Sequence, residues 1–160
     1  MSTADAVARE AAWLKTSGDN LPSLLKVAGG PWDNVQAYWP RSPASQQRSI
    51  YVLRRDIADE RFAAIRRMSK YDFVLRIVWP ILAGSGSAEE EQQALDNAID
   101  LVVQRIAAPM LDKTHGNRFL SVAENPTGIH VAFTDPEHTI PLKLLEAEIT
   151  YSADDFERND

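Results

Sequence analysis

The chain contains no cysteine, which excludes disulfides, thiolate nucleophiles and cysteine-ligated metal. Histidine is scarce. His115, His130 and His138 form no i, i+4 helical pair and no HExxH or similar ligand pattern. His130 falls on the outward face of a short strand and reads as an ordinary surface histidine. No apolar run approaches the roughly 18 residues of a membrane span. Asp5 and Glu10 interrupt the N-terminal stretch, which lacks the basic flank and apolar core of a signal peptide. The expectation is a protein soluble and intracellular as made, with no membrane partner. Glycine is sparse and never falls in a GxxxxGK[ST] setting. Gly84-Ser85-Gly86-Ser87 stands where phosphate loops occur, but Glu89, Glu90 and Glu91 follow at once and would repel a phosphate. It reads as a flexible helix lead-in. No serine has a GxSxG setting. Asp96 and Asp100, spaced i, i+4 on a polar helix face, read as solvated acids rather than an acid–base pair. No residue is a candidate for catalysis, cofactor binding or metal ligation, and a non-enzymatic protein is expected.

What is present is ordinary in bulk and uneven in detail. A chain of 160 residues, 44% hydrophobic and 25% charged, fits a single domain over 1–160 with one real hydrophobic core. The net charge of −6 argues against general nucleic-acid coating. Its distribution is informative: residues 1–40 sum to −1, residues 41–70 to +5 and residues 71–160 to −10. The basic block holds Arg41, Arg48, Arg54, Arg55, Arg61, Arg66, Arg67 and Lys70. Such a block is either a solvated loop or a contact with an acidic partner, DNA or a neighbouring copy.

The order of elements reads helix, strands, long helix, strands. Val7, Ala11 and Leu14 mark a helix over 4–16, stopped by Ser17-Gly18. Leu21 to Val27 reads as a second short helix with Pro22 in its first turn. Val35 to Trp39 and Ser49 to Arg54 read as strands. Residues 55–70 are ambiguous: a weak, heavily charged helical stripe (Ile57, Arg61, Ala64, Ile65, Met68), or an arm or long β-hairpin. Tyr71, Phe73, Leu75, Ile77 and Trp79 share one face of a strong strand that Pro80 ends. Ser87 and Glu90 form a capping box opening the longest helix, Ala88 to about Ala107. Its stripe is Leu95, Ala98, Ile99, Val102, Val103 and Ile106. Strands follow at 118–123, 129–134 and 142–151, the last with Leu145, Ala147, Ile149 and Tyr151 inward. A polar tail over 154–160 is expected to fray. The fold class is α+β, a mostly antiparallel or mixed sheet packed against a long central helix and the N-terminal helix. Phe73, Leu75 and Ile77 should meet Leu95, Ile99, Val102 and Ile106 in its core.

Four pieces of the chain carry a family resemblance. They are the N-terminal helix leading to Asn34-Val-Gln-Ala-Tyr-Trp-Pro40, the strand Tyr71-Asp-Phe-Val-Leu-Arg-Ile-Val-Trp79, the helix Leu95-Asp-Asn-Ala-Ile-Asp-Leu-Val102, and the close Leu145-Glu-Ala-Glu-Ile-Thr-Tyr-Ser-Ala-Asp154. Together, from Ala4 to Asp155, they resemble the lambda-type tail terminator proteins of long, non-contractile-tailed phages. The resemblance implies a helix-backed sheet and a six-membered ring at the head-proximal end of the tail tube. There it would stop tube polymerisation and offer a surface to the filled head. Implied partners are further copies of the chain, the major tail-tube protein, a head-completion or connector protein, and DNA passing the lumen. The implied location is the virion, after assembly in the host cytoplasm. An extended arginine-rich 41–70 segment and a loop at 110–128 set this chain apart from the shortest terminators. Two other readings stand beside it: a different ring-forming neck or head-completion protein, and a small intracellular enzyme or ligand-binding domain.

The residues expected at contacts are few. Eight basic side chains cannot enter an apolar core, so the 41–70 segment should be exposed. It should meet an acidic neighbour, an acidic tube surface or DNA. Arg54, Arg55, Arg66 and Arg67 are the candidates, because paired arginines make bidentate contacts to carboxylate or phosphate. Trp32 and Trp39 flank loops rich in proline and glycine, and at least one is expected to anchor a subunit contact.

Overall fold

The strand alternation and the long helical stripe meet as expected. In the computed structural model, which describes residues 3–17, 21–42, 46–63, 66–84, 86–107, 114–116, 118–123 and 128–156, strand β3 (Arg66–Pro80) buries Tyr71, Phe73, Leu75, Ile77 and Trp79 on one face. Helix α2 (Ala88–Ala107) opens with the Ser87 hydroxyl accepting the Glu90 N–H at 3.2 Å and buries Leu95, Ala98, Ile99, Val102 and Ile106. These side chains join one core, to which helix α1 (Thr3–Lys15) contributes Val7, Ala11 and Leu14. Pro80 falls at the exit of β3, where a missing N–H costs the ladder nothing.

The sheet has six strands and is mixed. Strands β1 (Asn34–Ala37), β2 (Ser49–Ala63), β3, β6 (Leu144–Phe156) and β4 (Ser121–Val122) lie in that order, and β5 (His130–Phe133) also pairs with β6. Among the described strand pairs, β1 against β2 is parallel and the others are antiparallel. A short helix α3 (Pro136–Thr139) precedes β6. With helices and strands both substantial, the class is α+β.

Of the ambiguous 55–70 segment, residues 55–63 and 66–70 are strand, and Ala64 and Ile65 lie outside the described residues. Cross-strand pairing runs from Ser49↔Val78 to Ala63↔Arg66, with bulges between Arg54 and Asp56 and between Arg61 and Ala63. A weak helical stripe loses to a ladder already nucleated by the alternating residues on both sides. Among the described residues, pairing of the hairpin with β6 ends at Met68↔Phe156.

Two expectations are corrected. Residues 21–27 are not a helix: only the 3₁₀ turn Lys26–Ala28 forms, and Leu25 bridges Trp32. A segment this short nucleates poorly, and the Trp32 backbone takes its hydrogen bonds, accepting from Lys26 N–H at 2.8 Å and donating to Leu24 O at 2.9 Å. Gly30 makes that fold-back possible, because a Cβ there would lie 2.3 Å from the Leu24 oxygen. Strand β6 also runs on to Phe156 instead of fraying from 154. Asp155 is buried and pairs with Arg9 at 3.6 Å. Residues 157–160 of the expected tail lie outside the described residues.

Candidate functional site

The expected contact residues occupy three different places. Arg54 and Arg55 are exposed where the first bulge interrupts β2. Arg54 stands over the Tyr38 ring at 5.4 Å. Arg55, the extra residue of the bulge, lines an open concavity of about 210 Å³ with Asp72, His130, Thr150 and Ser152. Bulges re-aim side chains in this way. Trp39 is 47% exposed, packs edge-on against Tyr51 at 4.8 Å and lies 5.8 Å from the Arg76 guanidinium. Trp39, Arg76 and the concavity at Arg55 lie on the sheet face away from the helices, whereas Arg54, opposite Phe73, has the register of the helix-backed face. Arg66 and Arg67 open β3, opposite Ala63 and Arg61; their side chains lie outside the described ones. From Phe73, the partner of Arg54, to Arg67 is about 20 Å along the strand, so the two arginine pairs are separate.

Trp32 is corrected. It is fully buried, packed edge-on against Trp79 at 5.1 Å. The fold-back of residues 24–32 turns the indole into the core, so Trp32 is not a surface anchor. His130 is exposed, as are Asp96 and Asp100.

Reading the chain for motifs missed a buried polar network. Glu10 and His115, both 0% exposed, meet at 2.9 Å through Glu10 Oε2 and His115 Nδ1. His115 Nε2 lies 2.9 Å from the Ile106 carbonyl, and the Tyr151 hydroxyl donates to Glu10 Oε1 at 2.6 Å. A carbonyl only accepts, so Nε2 carries a proton, and one further proton lies between Nδ1 and Oε2. The pair is neutral in sum wherever that proton sits, which makes its burial tolerable. Burial, the Glu10 charge and the hydrogen bond to it push the Tyr151 hydroxyl well above its ordinary value of 10. Trp13 stacks on His115 at 4.8 Å. Buried Arg105 donates to the Trp13 carbonyl at 3.0 Å and to the Thr16 hydroxyl. Arg9 donates to the Arg118 carbonyl and covers Phe119 at 4.5 Å. These contacts tie α1 to the end of α2, the 114–119 segment and β6.

A sequence signal for this network existed. Glu10 lies i+3 from Val7 and i−4 from Leu14, inside the apolar stripe of α1, and an acid at such a position needs a buried partner. Arg105 and Glu91 break the α2 stripe in the same way. Glu91 accepts from Trp79 Nε1 at 2.9 Å and pairs with Arg48 at 3.2 Å, while Arg48 also covers the Trp79 ring at 4.0 Å. Beside it, burial works to raise the Asp33 carboxyl, but the Arg48 N–H bond and the Lys26 charge outweigh it and hold the group below its ordinary 3.8.

The Glu10–His115–Tyr151 set has the residue types of acid–base chemistry but is sealed from solvent, and its hydrogen bonds are directed within the protein. It acts as a clamp. Among the described residues no group of three His, Asp or Glu side chains is placed to hold a metal ion, and no helix is long and apolar enough to cross a membrane. The molecule is thus defined as an α+β protein whose sheet is backed by helices on one face and carries an exposed aromatic and basic patch on the other. No protein-family model matches the chain, and no curated protein matches it.

Proposed function

We propose that the chain is a structural assembly protein that closes the head-proximal end of a phage tail tube as a ring of identical copies, ending tube polymerisation and offering a surface for the head. The observation that carries this reading is the long basic hairpin on an otherwise acidic, helix-backed sheet. Residues 41–70 sum to +5 and residues 71–160 to −10, so one region of a copy attracts another region of the next. A head-to-tail ring needs two such unlike patches. The four segments resembling tail terminators support the same reading, and they fall in α1 and β1, β3, α2 and β6, the elements that build the core. Trp39 and Arg55 add exposed side chains of the types favoured at interfaces on the sheet face away from the helices.

The test combines charge reversal with assembly. The Arg66→Glu/Arg67→Glu double variant is expected to stay folded while ring formation or tube docking weakens, read by light scattering and by electron microscopy of tails. Six copies of 17.9 kDa come to about 107 kDa, well separated from the single chain. Deleting the gene from its phage should give abnormally long tails. Normal tails with unstable heads would reassign the protein to head completion, and normal-length infectious tails from the double variant would reduce the arginine segment to a solvated surface.

A further inference from the structure

The free edge of the sheet at β5 has the features of a docking strand. Thr134 N–H donates to the Glu146 carbonyl at 3.1 Å. With the register His130↔Thr150 to Phe133↔Ala147, the antiparallel alternation turns the N–H and C=O of Val131 and Phe133 away from β6. No strand among the described residues covers that side. Natural sheets guard such edges with lysine, proline or a bulge; the sequence His130-Val-Ala-Phe133 carries none of these. Phe133 is 53% exposed. Beside it, between β5 and α2, lies a groove of about 160 Å³ walled by Leu95, Phe133, Pro136 and Leu145. That is well below the roughly 300 Å³ at which small-molecule sites begin, and it matches a single side chain. The polar rim is acidic: Asp96 and Glu146 line the groove with no basic side chain among its described lining, and neither is ion-paired among the described residues. Asp135 and Glu137 stand at the adjoining end of α3.

We infer that the β5 edge and its groove dock an extended segment of a partner protein in which one apolar side chain is flanked by lysine or arginine. The segment adds a strand to β5 through the Val131 and Phe133 backbone groups, and its apolar side chain fills the groove beside Phe133. Lysine or arginine two positions from it, on the same face of the added strand, meets Asp96, and one directly beside it, on the opposite face, meets Glu146. A second copy paired symmetrically through β5 is disfavoured, because it brings this acidic rim against itself. The surface is distinct from the arginine patch and does not depend on the tube-capping function.

The test is a fluorescence anisotropy titration of the full chain with a short labelled peptide carrying a central phenylalanine with lysine one and two positions to either side. Saturable binding is expected, at least about tenfold tighter than for the same peptide with glutamate for lysine. Val131→Pro removes an N–H that β6 does not use and that proline tolerates at an edge. It should weaken binding at least about tenfold with the circular dichroism spectrum and urea midpoint unchanged. Asp96→Lys/Glu146→Lys should transfer the preference to the acidic peptide, and it decides the matter if the proline variant fails to fold. Hydrogen exchange should show the Val131 and Phe133 amides protected only with peptide. Equal binding of both peptides, full affinity in Val131→Pro, or protection of those amides by self-association alone would overturn the inference.

Discussion

Leu75 and Arg76 are neighbours in β3 and live in different solvents. Leu75 faces the helices and is fully buried. Arg76 faces away and pairs with Glu148 at 3.2 Å, with side chains 45% and 43% exposed. The buried charged groups Glu10, Glu91 and Arg105 on the helix-backed side are each held by more than one partner. On the open side, the Arg76–Glu148 pair is nearly half exposed. Low dielectric on the first side makes an unpaired charge intolerable, whereas water on the second screens it. The comparison separates a face built for stability from a face left free for contact.

The largest effect should come from breaking the buried clamp. Glu10→Ala strands His115 and Tyr151 without their shared acceptor and should lower the unfolding free energy by about 3–5 kcal/mol in urea titration. Glu10→Gln is the sharper variant. Its amide can donate to Nδ1 of neutral His115 and accept from Tyr151, so the network survives without charge, and the loss should stay within about 1 kcal/mol. Equal losses in both variants would show that charge, not hydrogen-bond satisfaction, holds the clamp.

A smaller effect is expected at Tyr151, and it depends on pH. The folded protein holds this phenol well above its ordinary value of 10, so the unfolded chain ionises first. The stabilising contribution is complete below about pH 10 and declines as pH rises from there through the folded value. Tyr151→Phe should cost about 1–3 kcal/mol near neutrality, because Glu10 Oε1 loses its donor, and should flatten the alkaline decline. An unchanged alkaline limb in the variant would place that titration elsewhere.

The smallest effect belongs to the open face. Arg76→Ala removes an exposed ion pair and should change stability by less than about 1 kcal/mol, less still in high salt. A loss as large as that of Glu10→Ala would erase the distinction between the two faces.

Periodicity by itself determined most of the architecture. The five alternating residues Tyr71 to Trp79, the α2 stripe and the Ser87–Glu90 cap follow from local geometry, because side-chain period reports which face must leave water. Composition likewise located the basic segment. Tertiary structure decided the rest, where distant residues compete for the same groups. Residues 21–27 gave up a helix because the Trp32 backbone took their hydrogen bonds, and Trp32 thereby became core rather than surface. Residues 56–63 became strand because 66–72 lay opposite them. Strand β6 continued to Phe156 because β3 extends beside it and Arg9 waits for Asp155. The Glu10–His115–Tyr151 clamp joins residues 141 positions apart at its extremes. Local propensity announces that Glu10 needs a partner but carries no information on which residue the fold will bring to it.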